Sequence, residues 1–175
     1  TTTLNRLPVT NVIACQRPWC SQLAERLEEK TTSTFHFIQD SSSLNVQYLE
    51  RLDPEFLFFP HWSNTIPASI YEKYPCVIFH MTDLPYGRGG SPLQNLIVRG
   101  HTETVVSAIQ CVKELDAGPV YLKKPLSLLG SAEEIYIRAN KLIEEMIVEI
   151  LREQPQPSVQ VGEVINFQRR KSEQG

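Results

Sequence analysis

Cys76-Val77-Ile78-Phe79-His80 is an apolar run that closes on a histidine, and Met81-Thr82-Asp83-Leu84-Pro85-Tyr86-Gly87-Arg88-Gly89-Gly90-Ser91-Pro92 follows it directly. A strand buried on both faces reads as such a run. In open α/β sheets ligands collect at the carboxyl ends of the strands, which is where His80 falls. The loop behind it joins three glycines to one arginine, and Leu115-Asp116-Ala117-Gly118 later sets an acid in a tight turn.

Working outward, strands alternate with helices over the first half. Val9 to Cys15 is apolar and largely β-branched, and fits a buried strand. Pro18 suits a helix's first turn, and Leu23, Ala24 and Leu27 give that helix an apolar stripe. Phe35 to Ile38 is a second strand. Asp40-Ser41-Ser42-Ser43 signals a helix start, with the helix over Leu44 to Leu52 and a stop at Asp53-Pro54. Phe56 to Phe59 is a third strand, ending in Pro60-His61-Trp62-Ser63-Asn64. Ile66 to Tyr71 makes one or two helical turns, and Cys76 to His80 is the fourth strand. This alternation predicts an α/β fold with a mostly parallel sheet and helices on both faces.

Pro92 can start a helix that Gly100 stops. Thr102 to Val112 and Val120 to Leu126 read as strands, the first of them antiparallel and near an edge. Ser131 to Arg152 is the clearest helix. Ser131 and Glu134 form a capping box, and Ile135, Ala139, Leu142, Ile143, Met146, Ile147 and Ile150 recur at helical spacing. Val161 to Phe167 reads as a last strand, and Arg169 to Gly175 as a frayed end.

The chain has 175 residues, which suits one domain, with a core over about 9–152 and an extension over 153–175. Apolar residues make up 41% and charged residues 21%, ordinary for a soluble protein. A net charge of -3 argues against a broad nucleic-acid footprint but leaves room for a small anion held by local cations. None of Cys15, Cys20, Cys76 and Cys111 has a C-x-x-C partner, so no zinc site is read. Cys15, Cys76 and Cys111 lie in apolar runs and read as buried thiols, hence a reducing, cytoplasmic compartment. No run approaches the length of a membrane span, Thr1 to Thr10 lacks the apolar core of a leader, and no dinucleotide fingerprint follows the first strand.

Each site residue has a plain reading beside the chemical one. His80 is either catalytic or a half-buried histidine bonded to a carbonyl. Asp116 is a catalyst or a turn former, and Asp83 a functional acid or an Asx turn before Pro85. Gly87-Arg88-Gly89-Gly90-Ser91 can bring amides and a guanidinium to an anion, or simply supply positive backbone angles. Trp62 is core or stacks on a ligand ring. His36 and His101 show no partner.

The residues His80 to Gln94 resemble the signature of the formyltetrahydrofolate-dependent formyltransferases. There a strand ends in Asn-x-His, and Pro-x-x-Leu-Pro, Tyr-Arg-Gly and Pro-x-Gln follow. Leu115-Asp116-Ala117-Gly118 is similar to the family's second motif, with Pro119 in place of a final acid. The likeness runs from about Val9 to Arg170. It implies a Rossmann-like formyltransferase core, 10-formyltetrahydrofolate as formyl donor, a primary amine as acceptor, no metal, and His80 and Asp116 as the catalytic pair. It further implies Trp62, Phe79, Leu115 and Gly118 against the folate, and His61, Arg88, Gly89, Gly90 and Gln94 against the acceptor.

One position departs from the pattern. Ile78 stands where the family has its asparagine, and isoleucine donates no hydrogen bond. Ser63, Asn64, Asp83 and Asn95 are the polar residues able to replace it; otherwise His80 and a backbone amide hold the oxyanion. The initiator-tRNA enzymes carry a further basic domain, while this chain ends at Gly175 and is mildly acidic. The His61-Trp62-Ser63 and Gly87-Arg88-Gly89-Gly90-Ser91-Pro92 variants resemble the short nucleotide-sugar N-formyltransferases. That resemblance implies a nucleotide-linked amino-deoxy sugar as the expected acceptor, as in pseudaminic-acid-type pathways, with no membrane, no nucleic acid and a homodimer as an open option. The alternatives are formylation of methionyl-tRNA or glycinamide ribonucleotide, or a folate- or nucleotide-binding domain without catalysis.

Overall fold

The computed structural model describes residues 9–171; the readings of positions 1–8 and 172–175 lie outside it. Two compact units divide the chain, residues 1–75 and 76–175.

The first unit is built as the alternating pattern predicts. Strand β1 (Thr10–Cys15) runs parallel to both β2 (Thr34–Ile38) and β3 (Leu57–His61). Asn11, fully buried on β1, accepts the Phe56 amide through its Oδ1 at 3.0 Å and ties β1 to the approach of β3. Helix α1 (Cys20–Lys30) buries Cys20, Leu23, Ala24 and Leu27, one face at helical spacing. Cys15 and Cys20 are joined by a disulfide, which corrects the reading of Cys15 as a free thiol. The turn through Arg17 and Trp19, closed by the Cys20 amide on the Arg17 carbonyl at 3.1 Å, brings the second sulfur back to the end of β1. A spacing outside any familiar cysteine motif hides that return.

The helix signal at Asp40 is also relocated. Asp40 caps only a 3₁₀ turn (Ser41–Ser43), and Asn45 caps α2 (Val46–Leu52) by accepting the Tyr48 amide at 2.9 Å. Both side chains can serve as N-caps, and the tighter turn uses the first. Short helix α3 (Ala68–Tyr71) follows Pro67.

The second unit opens with β4 (Cys76–His80). It pairs antiparallel with β6 (Glu103–Gln110), which pairs antiparallel with β7 (Val120–Ser127). Between β4 and β6 lie β5 (Tyr86–Gly89) and α4 (Pro92–Val98). Helix α5 (Ala132–Glu153) carries the predicted capping box, and of the predicted face Ile135, Ala139, Ile143, Met146, Ile147 and Ile150 are buried. Burying each large aliphatic chain contributes about 1.5–3 kcal/mol, so tertiary packing rather than propensity holds α5. Strand β8 (Ile165–Phe167) is shorter than the predicted Val161 to Phe167 and pairs parallel with β5. Cys76 and Cys111 are free and buried. No helix among the described residues is long and apolar enough to cross a membrane.

Candidate active site

His80 is the last residue of β4 and is 8% exposed. Its Nε2 lies 2.8 Å from the Gly87 carbonyl oxygen. A carbonyl only accepts, so Nε2 carries the proton. Thr82 donates its hydroxyl to the same oxygen at 3.1 Å, and Ser107 donates to the Thr82 carbonyl at 2.7 Å. Thr82 and Ser107 are fully buried, so the ring is oriented through a chain of satisfied polar groups. Neither residue stands out in the sequence, because single hydroxyls carry no pattern.

Asp116 reaches His80 from the turn between β6 and β7. Its Oδ2 stands 3.8 Å from His80 Nδ1, and the two side chains are 9% and 10% exposed. That separation is too long for a hydrogen bond, so Nδ1 is uncommitted to the carboxylate and remains available to a third atom. The Gly89 amide donates to Asp116 Oδ2 at 2.9 Å. The structure thus brings together His80, Gly89 and Asp116, which the sequence separates by up to 36 positions.

The turn holding Asp116 explains its own residues. Asp116 has φ of 54°, a left-handed backbone that aspartate tolerates better than most residues. At Gly118 a Cβ would run into the Gln110 carbonyl oxygen, so only glycine lets β6 and the turn close on one another. Gly89, with φ of 107°, is pressed against the Phe167 carbonyl in the same way. Cys111 lies near this turn; burial first, then the charge of Asp116, pushes its thiol up to about 11.

Several proposed residues have other partners. Arg88 gives Nε and Nη2 to Gln160 Oε1 at 3.2 and 2.9 Å. Asn95 spends its amide on three backbone carbonyls, of Gly90, Ser91 and Gln168, at 2.9–3.1 Å. Asp83 pairs with Lys123 at 2.6 Å and is 62% exposed. Ser63 bonds to Gln16 Oε1 through both its amide and its hydroxyl, and Asn64 bonds to the Gln16 amide. Ile78 is half-buried opposite Ile109. Phe79 is buried, Leu115 is 72% exposed and Gln94 is exposed. In the first unit Trp62 packs edge-on to Phe59 at 5.8 Å, with its buried indole N–H lacking a hydrogen-bond partner, and His61 packs against Trp19 at 5.2 Å.

His101, read as partnerless, shares a 2.8 Å hydrogen bond with the Tyr86 hydroxyl. Both line a pocket of about 320 Å³ with Asp83, Leu96, Glu103, Thr104 and Val105; neither His80 nor Asp116 lines it. Among the described residues no group of three or more His, Cys, Asp or Glu side chains could hold a metal ion.

His80 thus closes a buried strand with the Asp116 carboxylate beside its ring, and the Gly89 amide holds that carboxylate. Comparison with known proteins gives the family. A solved methionyl-tRNA formyltransferase from Clostridium thermocellum superposes with a TM-score of 0.89 and 44% identity, over 95% of this chain and 74% of that one. The chain belongs to the formyltransferase family, with its α/β Rossmann-like fold.

The methionyl-tRNA formyltransferase of Thermotoga neapolitana is 28% identical over 110 residues, 61% of this chain and 35% of that protein. The formyltransferase PseJ from Anoxybacillus kamchatkensis, solved with a UDP-linked formamido sugar and tetrahydrofolate, shares the fold. Its TM-score is 0.69 at 16% identity, over 90% of this chain and 85% of that one. The chain spans about a third to just under half the length of the curated relatives it matches. No family model matches it.

Proposed function

We propose that this chain moves a formyl group from 10-formyltetrahydrofolate to a primary amine. The observation that carries the reading is the buried approach of Asp116 to the uncommitted Nδ1 of His80, at the two positions where the family motifs place a histidine and an aspartate. The neutral amine attacks the formyl carbon, and charge gathers on the formyl oxygen. Protonated His80 donates from Nδ1 to that oxygen, while its Nε2–H stays on the Gly87 carbonyl. Asp116 accepts the proton the amine sheds, directly or through water. Collapse breaks the bond from the formyl carbon to the folate N10, and the proton ends on N10. The products are the formamide and tetrahydrofolate.

With Ile78 in the family's asparagine position and Asn95 engaged with three carbonyls, the reading gives His80 the larger share of oxyanion stabilisation. His80→Ala should therefore lower turnover by about 10² or more.

For the acceptor, the 44% identity to a methionyl-tRNA formyltransferase favours methionyl-tRNA. A second reading, a nucleotide-linked amino-deoxy sugar, is favoured by the net charge of -3, which suits a polyanionic RNA poorly. Supplying 10-formyltetrahydrofolate with each amine in turn, and measuring tetrahydrofolate release and the mass of the formylated product, separates the two. Release with one acceptor and its loss in His80→Ala supports the proposal. Failure of the folded protein to release formyl to either amine would leave a binding domain as the reading.

A further inference from the structure

Val159-Gln160-Val161 lies in the tail that follows α5, and nothing in the sequence distinguishes it. Val159 and Val161 are 80% and 89% exposed, whereas Gln160 turns inward. Its Nε2 donates to the Asp116 carbonyl at 2.8 Å and to the Gly118 carbonyl at 2.9 Å. Its Oε1 accepts both Arg88 contacts, at 3.2 and 2.9 Å. Two amide hydrogens and two oxygen lone pairs are thereby used in full. The orientation of the amide is fixed by its partners, since carbonyls only accept and a guanidinium only donates.

These contacts converge on one group. Gln160 holds the backbone of the turn that presents Asp116, in its left-handed conformation with φ of 54°. It also holds Arg88, the neighbour of Gly89, whose amide grips the Asp116 carboxylate at 2.9 Å. The residue is anchored nearby: Ser158 and Val120 exchange amide-to-carbonyl bonds at 2.7 and 2.8 Å. One side chain thus fixes both the base of the Asp116 side chain and the strand that holds its tip. Glutamate at 160 keeps the acceptors for Arg88 and loses both donors; leucine loses all four bonds.

We propose that Gln160 is a positioning residue that sets the Asp116 carboxylate against His80 and thereby governs turnover. The proposal rests on the formyl-transfer reading above. Gln160→Glu and Gln160→Leu should each lower kcat about tenfold or more, with the KM for the formyl donor changed less than about threefold. In an Asp116→Asn background the Gln160→Leu change should cost less than about twofold further, because the carboxylate it positions is gone. A Gln160→Glu protein with wild-type kcat, or losses that multiply in the double variant, would overturn the proposal. Should Gln160→Leu fail to fold, Gln160→Glu carries the test.

A second measurement needs no activity. The ring ¹⁵N resonances of His80 should move in Gln160→Glu in the direction they move in Asp116→Asn, and unchanged resonances would overturn the assignment. If the wild-type protein transfers no formyl group at all, the failure belongs to the formyl-transfer reading, and the resonances still decide whether Gln160 positions Asp116.

Discussion

Helix α5 and the strap that follows it, residues 158–170, hold the second unit together by opposite means. Helix α5 buries Ile135, Ala139, Ile143, Met146, Ile147 and Ile150 and supplies none of the candidate site residues. In the strap only Phe167 is buried, yet its single polar groups secure the site. Gln160 holds the Asp116 turn, the Gln168 carbonyl takes the Asn95 amide at 2.9 Å, and the Arg170 amide donates to Ser91 at 3.0 Å. Arg170 is therefore tied down, although the charged tail reads as frayed. Apolar burial sets how firmly the unit folds, and a few directed hydrogen bonds set where its reactive groups stand.

That contrast predicts separable effects. Ile147, fully buried on α5, should cost about 2–5 kcal/mol of unfolding free energy as Ile147→Ala, with turnover per folded molecule unchanged. Urea titration with activity measured below the transition reads both quantities; a fall in turnover per folded molecule would join the helix to the site.

Ser131→Ala tests the same separation more gently. Ser131 accepts the Glu134 amide at 3.2 Å, and the Glu134 carboxylate accepts the Ser131 amide at 3.2 Å. Losing the cap should cost about 1 kcal/mol at neutral pH. The Ser131 backbone amide, which alanine keeps, leads the causes that lower the Glu134 pKa from 4.5, and the Ser131 side chain, which alanine removes, comes second; that second part of the stabilisation is present above 4.5 and fades as the pH falls. The difference between wild type and Ser131→Ala should narrow in acid, and a gap that widens there would contradict the capping account.

The same contrast explains what the sequence makes legible. The boundaries and buried face of α5, and the βα alternation of the first unit, follow from periodicity and caps that repeat within a few residues. His80 and Asp116 stand at strand and turn ends in recognisable motifs, so their meeting is anticipated. Gln160 belongs to no repeating pattern and finds its partners at Asp116 and Arg88, far along the chain. The pairing of β5 with β8 is hidden because Tyr86-Gly87-Arg88-Gly89 carries two glycines and no apolar alternation. Tyr86 and His101 meet only because α4 turns the chain back. The disulfide between Cys15 and Cys20 depends on a turn that composition does not disclose.

The central claim is that His80 and Asp116 act as one unit in formyl transfer. Its most direct test is a double-variant cycle on release of tetrahydrofolate from 10-formyltetrahydrofolate with the accepted amine. His80→Ala and Asp116→Asn should each lower turnover by about 10² or more, and the double variant should be little worse than the poorer single. Asparagine is as good a turn residue as aspartate, so an Asp116→Asn protein with full activity would reduce Asp116 to shaping its turn and contradict the account.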